Sequence, residues 1–333
     1  MEGLQYERIA ERFAAQRILV AGDLMLDEFL WGKVSRISPE APVPVVDVTA
    51  ESYYPGGAAN VARNIREFTA HASVMGMAGA DPYGDRLVSL LHGSGIETTG
   101  VLQHASSFTT VKTRIIARHQ QVVRVDRERH APPTAEQTER AMAYLASAIP
   151  LVDAIVISDY CKGFLTQPLA DCICDLVRAH GKLLTVDPHP HNPLRWPGAA
   201  AIKPNRAEAF LSAGMRATDP VDPATDDEHL IAAGNRLLEI WGAECVLVTL
   251  GEQGMMLFQR NGAPHHTPTR AQAVFDVSGA GDTAIAVFTL GLAAGASPCE
   301  AAELANHASG VVVGKLGTAT ATKDELLAGF RKI

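Results

Sequence analysis

A chain of 333 residues with 47% hydrophobic content can bury a substantial core, as one large α/β domain or two smaller ones. Its net charge of −8, with no Lys/Arg-rich stripe, argues against nucleic acid as a partner. The five cysteines (Cys161, Cys172, Cys174, Cys245, Cys299) make no CxxC pair, so neither a disulfide frame nor a zinc site is expected, and buried free thiols in a reducing cytoplasm are.

Up to Arg17 the chain mixes Glu, Arg and Gln without an apolar signal core. Residues 7–16 read as a short leading helix. An apolar run over 18–21 ends in Gly22-Asp23, the pattern of a buried strand with a polar C-terminal end. Ligands of open α/β sheets gather at such ends, and Asp27 lies within reach of the same crevice. Residues 33–44 are rich in Ser and Pro and should be extended. A strand over 43–49 follows, with Pro44 near its start, so it should be an edge. Gly56 and Gly57 then open a helix marked by Val61, Ile65 and Phe68. Asn60 and Asn64 fall one turn apart on it, and the amide of Asn60 can serve sugar hydroxyls as donor and acceptor.

Residues 108–126 alternate in the manner of a β-hairpin, with His119-Gln120-Gln121 between its strands. Lys112 and Arg114 then share one face, where two cations can hold a substrate phosphate. From about residue 135 helix and strand alternate. Helices are expected over 138–148, 168–180 and 228–241, and strands over 153–158, 182–186, 199–202 and 245–249. Asn205 should cap a helix that begins Arg206-Ala207-Glu208. This alternation predicts βαβ units and a parallel sheet with polar or Gly-bearing turns along one rim.

In Asp276-Val277-Ser278-Gly279-Ala280-Gly281-Asp282 two carboxylates bracket small residues, ahead of an apolar helix over 283–296. The run over 284–296 is shorter than the about 20 residues needed to cross a bilayer. A helix start offers unpaired N–H groups and the positive end of the macrodipole, and glycine lets an anion come close. Asp282 in that first turn can take a proton from a hydroxyl while the N–H groups hold phosphoryl charge. No G-x-G-x-x-G follows the first strand, so a dehydrogenase is not indicated.

From about Arg17 onward the chain resembles the PfkB/ribokinase family of carbohydrate kinases. The resemblance rests on Gly56-Gly57-Ala58-Ala59-Asn60, on the 276–282 segment, and on Asn205-Arg206-Ala207-Glu208, which matches the family's N-x-x-E. Gly22-Asp23-Leu24-Met25-Leu26-Asp27, the run from Ser35 to Pro44, and Ser158-Asp159-Tyr160 with Lys162-Gly163 are similar to the bacterial D-glycero-D-manno-heptose 7-phosphate kinases. Ser278 stands where the family usually has Thr; both carry a hydroxyl. No H-x-G-H motif of the often-fused nucleotidyltransferase occurs, so a stand-alone kinase is expected.

The resemblance implies a ribokinase-like α/β fold: one domain over 1–333, a mostly parallel sheet with helices on both faces, and a small β lid from segments near 34–54 and 108–126. It implies ATP-dependent phosphorylation of the heptose 7-phosphate at its anomeric hydroxyl, for ADP-heptose and lipopolysaccharide core synthesis. A fructose- or ribose-type kinase, or a non-catalytic sugar or nucleotide sensor, are the alternatives. By resemblance Asp282 is the base, and Gly279, Ala280 and Gly281 form the anion hole. Asn205, Arg206, Ala207, Glu208, Thr249, Gly251, Gly254 and Asn306 belong to the ATP side, with Glu208 ordering Mg²⁺ through water. Asp276 is the candidate for a monovalent cation, potassium. Asp27, Gly56, Gly57 and Asn60 should meet the sugar, and Lys112, Arg114 and Lys162 are candidates for its phosphate. Lids of this kind pair across a homodimer in relatives, and the expected setting is the cytoplasm, without nucleic acid or membrane.

Overall fold

The computed structural model describes residues 2–118, 120–270, 274–315 and 317–330. In chain order it contains α1 (Glu2–Arg12), β1 (Ile18–Gly22), β2 (Leu24–Ile37), β3 (Pro44–Gly57), α2 (Ala58–Arg66), β4 (Ala72–Gly79), α3 (Pro82–Gly93), β5 (Glu97–His104), β6 (Thr110–Ala117) and β7 (Gln120–Arg127). Then follow α4 (Ala135–Ala148), β8 (Ala154–Ser158), α5 (Gln167–His180), β9 (Leu183–Asp187), β10 (Ala201–Ile202), α6 (Arg206–Ser212), α7 (Glu228–Trp241) and β11 (Cys245–Thr249). The last elements are β12 (Met255–Gln259), β13 (His265–Thr267), α8 (Ala280–Ala293), α9 (Pro298–Val312) and α10 (Lys323–Ala328).

Among the described residues a nine-stranded sheet has the order β13-β12-β11-β10-β9-β8-β1-β4-β5. Its pairs are parallel from β5 through β11, and β12 and β13 close one edge antiparallel. Strand alternation explains the layers, because successive side chains leave on opposite faces. In β1, Ile18 and Val20 join the core under α2, α8 and α9, whereas Leu19 and Ala21 join the core under α4 and α5. In β11, Cys245 and Leu247 face the α8 and α9 side, and Val246 and Val248 pack with α6 and α7. α8 is apolar nearly all round and is buried from Asp282 to Gly291, so it lies inside the fold and not on its surface.

A separate four-stranded sheet has the order β3-β2-β6-β7. β2 runs antiparallel to β3 and parallel to β6, and β6 runs antiparallel to β7. β3 is an edge, as Pro44 indicated. The sheet is larger than the two segments expected of it: β2 begins at Leu24, immediately after β1, and β3 runs directly into α2. Gln120 and Gln121 belong to β7 and not to a turn, and His119 lies outside the described residues. Chain thus leaves the large sheet at Asp23 and returns at Gly56-Gly57, so the two sheets meet at the rim where the parallel strands end.

Two further expectations need correction. α8 begins at Ala280 with Gly279 as its N-cap at φ 80°, where the sequence puts the helix start, but it ends at Ala293, three residues short of the apolar run. All five cysteines are free, but only Cys174 and Cys245 are buried; Cys161, Cys172 and Cys299 are half-buried on element ends and helix flanks. No helix among the described residues is long and apolar enough to cross a membrane.

Candidate active site

The rim gathers polar groups from the ends of five strands. Asp23 follows β1, Asp159 and Tyr160 follow β8, Asp187 ends β9, Lys203 follows β10, and Thr249 ends β11. Asp282, in the first turn of α8, is the centre of this group and is only 5% exposed. Its carboxylate accepts a hydrogen bond from Asn60 Nδ2 at 2.7 Å and another from Tyr160 Oη at 2.7 Å. Burial raises the Asp282 carboxyl above the usual carboxylate range; the Asn60 and Tyr160 bonds and the charge of Lys203 pull it back, and Asp27 adds to the rise. Burial likewise raises the phenol of Tyr160 well above its ordinary value, so it remains a donor. The result is a fixed, basic carboxylate, which suits a proton acceptor.

At the tip of α8, the N–H of Ala280 turns back to Val277 O at 3.3 Å. The N–H groups of Gly279, Gly281 and Asp282 have no hydrogen bond among the described residues. Gly279 needs its left-handed φ, and a side chain there would meet Asn60 Nδ2 at 2.8 Å. α2 delivers Asn60 to this point. Asn60 and Asn64 are both buried, and Asn64 Oδ1 accepts from Thr283 Oγ1 at 2.7 Å, which ties α2 to α8. The Asn60 amide is therefore engaged with Asp282.

On the small sheet Asp27 is buried and accepts from Arg114 Nη1 at 2.5 Å, and the Arg114 guanidinium also stacks on Phe29. Gly56 presses on the same carboxylate: an added methyl would stand 2.5 Å from Asp27 Oδ2. Gly57 is the N-cap of α2. Lys162 is ion-paired to Glu128 at 2.7 Å. Lys112 differs from both. It has no ion pair or hydrogen bond among the described residues, and its ammonium lies 5.3 Å from the centre of the Tyr160 ring. Burial lowers the Lys112 ammonium, with Lys162 and Arg114 adding to the fall and Asp27 opposing it.

On the other side of α8 a cleft of about 500 Å³ is lined by Thr249, Gly251, Gly254, Gly281, Asn306 and Ser309, among others. Asn306 Nδ2 donates to Pro268 O at 2.7 Å, which holds the cleft wall. Asn205 and Glu208 form a capping box on α6: the Asn205 side chain accepts from Glu208 N, and Glu208 Oε2 accepts from Asn205 N. Arg206 does not line this cleft. Its guanidinium pairs with buried Asp227 at 2.7 Å, at the N-cap of α7, and stacks on Phe210, so α6 and α7 use it as a clamp. Ala207 is exposed on the first turn of α6. Asp276 accepts from the N–H groups of Ser278 and Gly317, joining two loops beside the cleft.

Four further residues meet at this site. Tyr160 reaches Asp282 from a different strand end. Asp23, Asp187 and Lys203 stand at strand ends along the polar rim the sequence predicted, and strand order alone decides which of them meet. Asp23 is buried and accepts from the backbone N–H of Tyr160, Lys162 and Phe164 at 2.9, 3.0 and 3.2 Å, so it fixes the loop that carries Tyr160. Lys203 pairs with Asp187 at 2.9 Å, and burial pushes the Asp187 carboxyl up to about 7 against the pull of that ammonium.

The chain has relatives among known proteins. Residues 15–325 match the pfkB family carbohydrate kinase family. The chain is 44% identical over 316 residues to the bifunctional protein HldE of Desulfatibacillum aliphaticivorans, covering 95% of this chain and 63% of that protein. It is 41% identical over 327 residues to that of Geobacter sulfurreducens, covering 98% and 65%. The chain thus spans less than two thirds of the length of these relatives. In fold it is similar to phosphofructokinase-2 from Escherichia coli, solved in complex with potassium, with a TM-score of 0.76 at 19% identity over 95% of this chain and 99% of that one. Ribokinase of Arabidopsis thaliana, complexed with ribose and ATP, gives 0.71 at 18% over 95% and 99%. Sequence match over nearly the whole chain and the shared α/β architecture agree: this protein belongs to the pfkB family of carbohydrate kinases and is a sugar kinase.

Proposed function

We propose that this sugar kinase transfers the γ-phosphoryl group of ATP to the anomeric hydroxyl of D-glycero-D-manno-heptose 7-phosphate, giving the 1,7-bisphosphate used for ADP-heptose and lipopolysaccharide core synthesis in the cytoplasm. One observation carries the reading. Buried Asp282 stands at a helix tip, with an apolar cleft on one side and, across the Tyr160 ring, the unpaired cation Lys112 on the other. The likeness to HldE proteins over 95% to 98% of the chain supports heptose as the sugar.

In this mechanism Asp282 accepts the hydroxyl proton as the oxygen attacks phosphorus, and Asn60 and Tyr160 hold its carboxylate in line. The N–H groups of Gly281 and Asp282 receive the phosphoryl oxygens. Asp27, oriented by Arg114, binds sugar hydroxyls beside Gly56 and Gly57. Thr249, Gly251, Gly254 and Asn306 bound the nucleotide, and Asn205 sits at the phosphate end. No group of three or more His, Cys, Asp or Glu suited to a metal occurs among the described residues. Mg²⁺ keeps water and phosphate oxygens among its ligands and needs one or two carboxylates. Glu208 would hold it through water, and the ion would supply charge neutralisation to the phosphates. Asp276 is the residue we assign to potassium, by analogy with the potassium complex of phosphofructokinase-2.

Of the three cations expected near the distal phosphate, Arg114 and Lys162 already have carboxylate partners. Lys112 is the one we assign to the 7-phosphate. Incubation with Mg-ATP and a panel of sugars, followed by ADP release, tests the substrate. Heptose 7-phosphate should have the highest kcat/KM, and a preference for ribose or fructose would reject the heptose, while no turnover on any sugar would favour a sensor. Lys112→Ala should raise KM for the heptose phosphate about ten- to a hundredfold, the worth of one charge-assisted hydrogen bond. The same change should leave KM for a neutral sugar unaltered.

The small sheet serves as a lid that excludes water once sugar is bound. Exposed Ile37, Val43, Val48, Val122, Val123 and Val125 lie on this sheet and the β2–β3 turn, and the sheet is our candidate for a homodimer contact. Sedimentation velocity should show a dimer, and a single monomeric boundary at micromolar protein would remove this part of the proposal.

A further inference from the structure

Lys203 follows β10 and is 3% exposed. An ammonium has three N–H donors. One of them reaches Asp187 Oδ2 at 2.9 Å, and no second partner is found among the described residues. On its other side lies α8. A methyl group built on Gly281 would stand 3.6 Å from Lys203 Nζ, with no other atom outside the helix within contact range. Only the bare face of Gly281 therefore separates this buried ammonium from the helix tip with its open N–H groups. A buried charge that is only partly hydrogen-bonded is costly to keep. The cost is understandable where an anion arrives to complete the set.

We infer that Lys203 is a catalytic cation that contacts the phosphoryl group in transit at the tip of α8, and that Asp187 is the positioning residue that holds it there. The inference rests on the phosphoryl-transfer reading of the site, but not on which sugar accepts. The acceptor oxygen forms its bond to the γ-phosphorus as the bond from that phosphorus to the ADP oxygen breaks. The hydroxyl proton passes to Asp282, and Lys203 keeps its own. Its charge balances the negative charge that gathers on the equatorial oxygens and moves onto ADP. The same ammonium lowers the proton affinity of Asp282, acting with Asn60 and Tyr160 and against Asp27. Asp187 couples to the rest of the cluster through the charges of Lys203, Glu208 and Asp282.

Lys203→Met keeps the side chain's length and removes its charge. Its kcat should fall about 10²- to 10³-fold, the loss typical of one preorganised donor to a transition-state anion. KM for the acceptor should stay within about threefold, since the sugar lies on the other side of Asp282. Calorimetric titration supplies a second readout: a non-hydrolysable ATP analogue should bind about tenfold more weakly, and ADP, which lacks the γ-phosphate, should bind as before. A kcat within about threefold of the parent, or equal weakening toward both nucleotides, would overturn the inference. Should Lys203→Met fail to fold around an unpaired Asp187, the double variant Asp187→Asn/Lys203→Met removes both charges and is read by the same two outcomes. The acceptor is whichever sugar the parent protein uses, so a wrong heptose assignment leaves this test intact.

Discussion

Asp282→Asn should lower kcat by about 10²- to 10⁴-fold, the range for loss of a positioned general base, with little change in sugar or nucleotide affinity. The amide keeps the size of the carboxylate, and with its oxygen accepting from Asn60 Nδ2 and its NH2 donating to the Tyr160 hydroxyl, which then accepts, it keeps its place, so the loss reports proton transfer and not packing. The pH dependence adds a signature. Because burial raises the Asp282 carboxyl, the parent enzyme should lose activity as pH falls through that raised value, and its base is fully present only above it. The residual activity of Asp282→Asn should lack that acid limb. Stability has the opposite sign. A carboxyl whose folded value exceeds its unfolded one binds more protons in the folded state between the two, so ionising it costs stability as pH rises. The neutral variant should therefore unfold at an equal or higher urea concentration than the parent near neutrality. Turnover within a few-fold of the parent (about threefold) would remove Asp282 from the role of base.

Asp23→Ala should be the most destabilising single change at the rim, by about 3 kcal/mol in urea denaturation. The Asp23 side chain accepts from three backbone N–H groups in the segment after β8, and truncation leaves these donors, one buried and two partly buried, without partners. The net loss is smaller than three full desolvation penalties. Burial already holds the Asp23 carboxyl above its usual range, so part of its bonding offsets the cost of burying it. Activity should fall as well, because the same segment sets the height of Tyr160 beneath Asp282. Asp23→Asn keeps an acceptor oxygen and should recover part of both. Stability within about 0.5 kcal/mol of the parent would show that water replaces the carboxylate without loss.

Local chemistry made some of this site legible. Gly57 and Gly279 mark helix starts because only small residues tolerate those backbone turns, and both proved to be N-caps. The Asn205 cap was readable from an Asn three residues before Glu208, which is the spacing a capping box requires. Strand runs such as residues 245–249 were readable because a strand covered on both faces is continuously apolar. Residue partners set by topology were not readable. Lys203 and Asp187 are neighbours only because β10 lies beside β9 in parallel register, and Tyr160 meets Asp282 across 122 positions of sequence. The partner of Arg206 was hidden for a related reason: Arg206 sits inside the N-x-x-E element, and Asp227 stands at the N-cap of the next helix. The free state of Lys112 was equally hidden, since Lys112 and Arg114 look alike until Asp27 is seen to take only one of them.

The Asp282→Asn variant, being slow, can be crystallised with heptose 7-phosphate and ATP both in place. The sugar's anomeric oxygen should then lie within hydrogen-bond reach of residue 282, about 2.6–3.2 Å, with the γ-phosphorus at the tip of α8 and the 7-phosphate beside Lys112. A side chain at 282 rotated out of the cleft, or an anomeric carbon bound at the far end of the pocket from it, would contradict the account.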